Sequence, residues 1–261
     1  MLHKRDWFSI CKVALISGTF GYIFGYTLPS FSQSIVPDNT LGSENSVITP
    51  NIEINNQIID LINGGASRGS TLFHSFDQFN VNEGQRVYFA NPSDIANIFS
   101  RVTGNNHSDI FGTLGVLGDA NLYLLNPNGV IFGPNASLDV PGSFAASTSG
   151  GVVFDNGYTF SATNPDSPPL LTVTTPLGIS QWLPPTGEIT STGNLSAGQN
   201  LSFIGQTIDL EGGQLTAGSN LKLKASELLT IQDTATNPFI AMAGGEFVAQ
   251  GNQGLTLSIL N

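Results

Sequence analysis

His74, Ser75 and Asp77 put an imidazole, a hydroxyl and a carboxylate close together in the chain, the side-chain types of a hydrolytic triad. No Gly-x-Ser-x-Gly elbow accompanies them, and the strand-turn-helix context that exposes such a serine is missing. His74 stands among Leu72, Phe73 and Phe76, a surround in which a histidine serves a structural hydrogen bond. His107 is the only other histidine after Ser34, and two isolated histidines do not make a zinc site. Asp209 and Glu211 form an acidic pair at alternate positions of Ile208-Asp209-Leu210-Glu211, with both side chains expected to point outward to one side. An acid and a base so placed would suit a polysaccharide lyase or glycosidase. No lysine or arginine lies near in sequence to hold a uronate, and a solvated strand edge accounts for the pair better. A calcium-binding nonapeptide and a phosphate-cradling glycine loop are both missing. The expectation is therefore no catalytic residue, no metal and no cofactor.

The elements that would position such groups are short strands broken by tight turns. Asn126-Pro127-Asn128-Gly129 has the residues a β-turn asks for: Asn at the first corner, Pro with φ already set, a tolerant Asn, and Gly at the exit. Leu122, Leu124 and Leu125 precede it, Val130, Ile131 and Phe132 follow it, and Gly133-Pro134-Asn135 turns the chain again. Strands this short do not make a free-standing sheet, but they suit a coil that stacks on its neighbours. Asp94 to Val102 is the one helical candidate, with Ile95, Ile98, Phe99 and Val102 at helical spacing; a short helix or irregular turn capping a coil is expected there.

An internal repeat decides the architecture. Gly193 to Leu201 (GNLSAGQNL) aligns with Gly213 to Leu221 (GQLTAGSNL), a period of about 20 residues that matches one turn of a β-helix. Leu195, Leu201, Leu215 and Leu221 should then stack inward, and Asn200 and Asn220 should form a ladder along the axis. At the ~4.8 Å strand spacing, the chain beyond the leader would make on the order of eleven turns, ~50 Å at most, and insertions would shorten the stack. Open solenoid ends expose strand edges, so Ile35 to Ile62 is expected to be an amino-terminal cap. The sequence stops inside an apparent strand, Leu255 to Asn261, and the domain is expected to be truncated there.

The first residues read as a targeting segment. His3, Lys4 and Arg5 make a basic start, Val13 to Leu28 is apolar, and Pro29 to Ser34 supplies small residues for a cut after Ser32 or Ser34. A helical signal peptide over residues 1 to 34 is expected, with an uncleaved anchor as the alternative, since the apolar run falls short of the ~20 residues that span a bilayer. The single cysteine, Cys11, lies within it, so the exported chain would hold no disulfide. Removing residues 1 to 34 takes away Lys4, Arg5, Lys12 and Asp6, leaving five basic against eighteen acidic residues and a formal charge of −13. So acidic a chain excludes nucleic acid as the expected partner.

The turns and their neighbours carry a resemblance. From Ile35 to Asn261 the sequence resembles the amino-terminal two-partner secretion (TPS) domain of filamentous-haemagglutinin-like exoproteins. The matching parts are Asn126-Pro127-Asn128-Gly129 and Asn91-Pro92, with Thr71 to Phe76, Phe79-Asn80-Val81 and Ile110 to Leu114 around them. The earlier turn continues Ser93-Asp94 where family members often have Asn-Leu. The resemblance implies an all-β, right-handed parallel β-helix with an amino-terminal cap, and a secreted or surface-located adhesin without enzymatic activity. It implies export through the periplasm and across the outer membrane by a cognate β-barrel transporter with periplasmic domains. A cell-surface receptor or carbohydrate would be met after export. Asn91, Pro92, Asn126, Pro127, Asn128 and Gly129 are the candidate transporter-recognition residues. A purely structural role for the Asn-Pro-Asn-Gly turn stands beside that reading.

Overall fold

The structure is a computed structural model that describes residues 34–165 and 179–260. Residues 1–33 of the expected signal peptide, with Cys11 and the cut after Ser32, lie outside them. Among the described residues the regular structure is all strand apart from one 3-10 turn at Gly42–Glu44.

Three faces wind around one core. The longest sheet stacks seven parallel strands, Thr71–Phe79, Asn97–Val102, Asn121–Leu125, Phe144–Ser147, Leu201–Gly205, Leu221–Ala225 and Phe247–Gly251. A second face runs in parallel from Ser108–Ile110 through Val130–Phe132, Glu188–Ser191, Thr207–Glu211 and Leu228–Gln232 to Gly254–Ser258. The third carries Arg86–Ala90, Thr113–Leu117 and Ser137–Asp139, then Asn194–Ala197, Gln214–Ala217 and Ile240–Ala243. This is a parallel β-helix. Like residues align from coil to coil: Leu72, Ile98, Leu122, Phe144, Leu201 and Leu221 form one inward column, all buried. Leu195 likewise sits over Leu215 at the expected repeat spacing, both buried.

One expectation needs correction, and the stack is shorter than its upper bound. Asn97–Val102 is a strand of the long sheet and not a helix, because Phe99 and Arg101 point to the opposite side of the sheet from Ile98 and Val102 and find a second packing layer there. The seven parallel strands also span only about 30 Å. Eleven turns would require a uniform coil. The coil from Leu221 to Phe247 is instead longer than the one from Leu201 to Leu221, and two segments form no coil.

The first of those segments is the cap. Ile35–Pro37 and Ala66–Arg68 pair antiparallel with Thr71–Phe79, and Ser46–Ile54 pairs antiparallel with Gln57–Gly64 over the first coil. The second leaves the helix after Thr148 and returns at Thr186, whose N–H donates to the Thr148 carbonyl (3.0 Å). Within it Gly151–Phe154 pairs antiparallel with Thr159–Ser161 and with Ile179–Trp182. This excursion lies on the outer side of the long sheet. There Phe73, Phe99 and Tyr123 stack coil over coil, with ring centroids 5.7 and 4.4 Å apart, and Phe154, Tyr158 and Phe160 close over them. The sheet is thus sandwiched between the helix core and a smaller aromatic core.

Candidate functional site

The two Asn-Pro turns lie at corners of successive coils, and in each the asparagine amide ties neighbouring coils together. In Asn126-Pro127-Asn128-Gly129 the Gly129 N–H donates to the Asn126 carbonyl (3.1 Å), closing the predicted β-turn. Gly129 alone of the four takes a left-handed conformation, φ +122°, where a side chain would be strained. The Asn126 side chain is 0% exposed. Its Nδ2 donates to the Asn106 carbonyl and to Ser108 Oγ (both 3.0 Å) on the preceding coil, and its Oδ1 accepts from the Asn128 N–H (3.0 Å). Asn128 is exposed and donates through Nδ2 to the Gly104 carbonyl (2.8 Å). The following coil closes from the other side, where Thr186 Oγ1 donates to the Pro127 carbonyl (3.1 Å).

Asn91 works the same way one coil earlier. Its Nδ2 donates to the Ile95 carbonyl (2.8 Å) across the turn, and its Oδ1 accepts the Ala120 N–H (3.0 Å) from the next coil. A Cβ on Gly118 would collide with that Oδ1, so the corner closes only over glycine. Pro92, Ser93 and Asp94 are exposed, and the turn borders a surface cavity of about 460 Å³ with Asp119 and Gln199. The structure therefore separates the predicted residues: Pro92 and Asn128 are at the surface, Asn91 and Pro127 half-buried, Asn126 and Gly129 buried.

The asparagine ladder is longer than the repeat indicated. Asn121 donates to Asn97 Oδ1 (2.9 Å) and accepts from the Ser143 N–H (2.8 Å). The Asn200 N–H meets Ser143 Oγ (3.3 Å), the Asn220 N–H donates to Asn200 Oδ1 (3.1 Å), and the Glu246 N–H to Asn220 Oδ1 (2.8 Å). Most steps run from a side-chain oxygen to the backbone N–H of the next coil, so each amide satisfies a donor that the corner takes out of the sheet.

The residues of acid–base type have other roles. His74 is 0% exposed inside the first coil, with Nδ1 3.0 Å from Ser46 Oγ of the cap and its ring among Phe76 and Phe89. Burial pushes its pKa down to about 3, so the imidazole is neutral. Ser75, on the opposite side of the same strand, belongs to a different network, so no triad is assembled. Its hydroxyl donates to Asp38 Oδ2 (2.7 Å) and accepts from Arg101 Nε (2.9 Å). Asp209 and Glu211 lie on Thr207–Glu211, with Asp209 half-buried and Glu211 exposed. Burial first, and the charge of Glu211 second, raise the Asp209 carboxyl. Its register neighbours are Thr190 and Thr230, with no cation opposite it. His107 pairs with Asp109 at 3.2 Å on the surface. Among the described residues no three His, Cys, Asp or Glu side chains converge on a metal-sized site.

Arg101 escapes a reading of the sequence, and its guanidinium joins the cap, the long sheet and the excursion. It is 2% exposed. Its guanidinium donates to Ser75, to Thr40 Oγ1 (2.8 Å) in the cap, and to the Ser161 (2.7 Å) and Pro165 (3.2 Å) carbonyls of the excursion, and it lies 4.4 Å from the Phe160 ring centre. Burial would raise the nearby Asp38 carboxyl, but donors from Thr103, Thr40 and Ser75 outweigh it and hold the group below its ordinary value. A lone arginine in the apolar run Ile98-Phe99-Ser100-Arg101-Val102 was the available signal.

Two heme/hemopexin-binding proteins of Haemophilus influenzae are similar to part of the chain. One, from strain ATCC 51907 / DSM 11121 / KW20 / Rd, is 38% identical over 85 residues, 33% of this chain, and the other is 36% identical over 84 residues, 32% of it. The chain spans only 9% and 8% of their lengths. The crystal structure of the filamentous hemagglutinin secretion domain aligns at 15% identity and a TM-score of 0.42, covering 87% of this chain and 100% of that one. Residues 33–255 match the family described as the TPS secretion domain. The chain therefore belongs to the TPS secretion domain family, and carries the domain by which an exoprotein is taken across the outer membrane to the cell exterior.

Proposed function

We propose that this chain is presented to a cognate outer-membrane β-barrel transporter as an extended polypeptide, is captured there by strand pairing with the transporter's periplasmic domains, and folds coil by coil as it emerges. The observation that supports this most is the ladder itself. From Thr71 onward, each strand of the long sheet pairs in parallel with its nearest neighbours in the stack. Folding of such a stack proceeds by nearest-neighbour addition, and each added coil removes the exposed edge of the last. An extended segment offers the transporter the same backbone groups that the coils later use on one another.

In this reading the two turns act at different moments. Asn126 is buried once the corner closes, so a transporter that reads its amide reads it before folding, and afterwards it serves the fold. Pro92 and Asn128 stay accessible in both states. The exported chain would then meet its receptor or surface carbohydrate outside the cell, working by presentation rather than by catalysis.

The test is the double variant Asn126→Ala with Asn128→Ala, produced alongside its transporter, with secretion rate and folded stability measured separately. Reduced export of a chain that still folds in isolation supports recognition of the turn. Undiminished export of the folded variant overturns it, and a variant that fails to fold alone assigns the turn to structure.

A further inference from the structure

The outer face of the long sheet is covered as far as the fourth coil, where Ala145 and Ser147 are still buried, and opens from Ser202 and Ile204 onward. The two outward columns there continue from Tyr123 through Ala145 and Ser202 to Lys222, and from Leu125 through Ser147 and Ile204 to Lys224 and Gln250. Trp182, at the edge strand of the excursion, stands 6.3 Å from the Tyr123 ring at a 44° tilt, so two aromatic rings mark the border between the closed and open halves. A groove of about 580 Å³ runs beside Trp182, floored by Ile204 and edged by Lys224, Ser226, Gln250 and Asn252. A second cavity, of about 280 Å³, lies by Tyr123 with Asn200, Ser202, Asn220 and Lys222.

The charge on this face runs against the rest of the molecule. Beyond Ser34 the sequence holds five cations against eighteen acidic residues. Arg68 is paired with Glu44, Arg86 donates to the Tyr88 hydroxyl, and Arg101 is buried. The remaining two, Lys222 and Lys224, are both exposed at alternate positions of one strand, so they project from the same side with Cα atoms about 7 Å apart. Among the described residues neither makes an ion pair. Glu227, two residues beyond the strand's end, has its carboxylate held by Gln206 (2.9 Å).

We propose that this groove binds an anionic polysaccharide. Aromatic faces stack on the C–H faces of sugar rings, amides and hydroxyls bond the ring hydroxyls, and the paired ammonium groups take carboxylates or sulfates on successive sugars. A dense polyanion such as nucleic acid is opposed by the formal charge of −13, whereas a chain with one charge every sugar or two meets its two cations locally. This goes beyond the export role and rests on it only in placing the ligand outside the cell.

The purified chain is titrated by calorimetry at low salt with a polygalacturonate oligosaccharide, a κ-carrageenan oligosaccharide bearing one sulfate per disaccharide, uncharged maltohexaose and a single-stranded DNA oligonucleotide. Binding of either acidic probe, weakened about tenfold or more by Lys222→Gln with Lys224→Gln and again by Trp182→Ala, is the expected result; which acidic probe binds tells carboxylated from sulfated sources. Unchanged affinity in the lysine variant, equal binding of maltohexaose, tighter binding of a single-stranded DNA oligonucleotide, or no binding of either acidic probe would overturn it. Circular dichroism of each variant confirms folding. Because the measurement uses purified chain, its failure is distinct from a failure of export.

Discussion

Asn126 bonds the Asn106 carbonyl, Ser108 Oγ and the Asn128 N–H at once, so Asn126→Ala should leave buried polar groups without partners and lower stability by about 2–3 kcal/mol in urea unfolding. Asn128→Ala, at the surface, should cost well under half of that. His74 gives a pH dependence of known sign. Burial holds the folded imidazole at about 3, while the unfolded ring titrates near 6.5, so below pH 6.5 the unfolded chain takes up a proton that the folded chain refuses. Stability should be unaffected by this residue above pH 6.5 and fall by up to about 1.4 kcal/mol per pH unit from there down to about pH 3. His74→Gln should flatten that slope in denaturant unfolding series; an unchanged slope would mean that the ring is not the titrating group. Asp38, held below its ordinary value, contributes in the same direction only at lower pH, below about 4.

Among the elements, the cap, the coils and the excursion are joined through one guanidinium. Arg101 sits on the second strand of the long sheet, yet its partners come from Thr40 in the cap and from Ser161 and Pro165, far along the chain. If, in the proposed export, the chain emerges from its amino end, the side chain lacks its later partners until the excursion has formed, and the cap and first coils should stay loosely held until then. Arg101→Met should lower stability by about 3 kcal/mol and raise hydrogen exchange selectively in Ile35–Pro37 and Thr159–Ser161, with the coils beyond Leu201 protected as before. Uniform loss of protection would show that the arginine serves the whole fold equally. Arg101 was hard to read in sequence because its role depends on chain segments far from it. The coil strands were legible because a short repeat and alternating burial are local patterns, visible at Leu195, Leu201, Leu215 and Leu221. The same locality misled at Asp94 to Val102, where Ile98 and Phe99 mimic helical spacing because both sides of that strand are buried, the second by an excursion whose return to the sheet leaves no local mark.

Taken as one body, a stack held by parallel ladders, corner asparagines and an inward apolar column can grow from one end without cross-links. That suits a chain whose described part contains no cysteine and whose destination lies beyond the outer membrane. The architecture and the corner turns were readable because each coil repeats the last. The open lysine-bearing face was not, because Lys224 comes near Trp182, and Lys222 near Tyr123, only when the coils stack and the excursion folds back over the sheet. Export by a dedicated transporter is decided by secretion of the chain in cells with and without that transporter, followed by protease resistance of the material in the medium. Folded, protease-resistant chain should appear outside only when the transporter is present. Retention in the periplasm despite an active transporter, or equal release without it, would contradict the account.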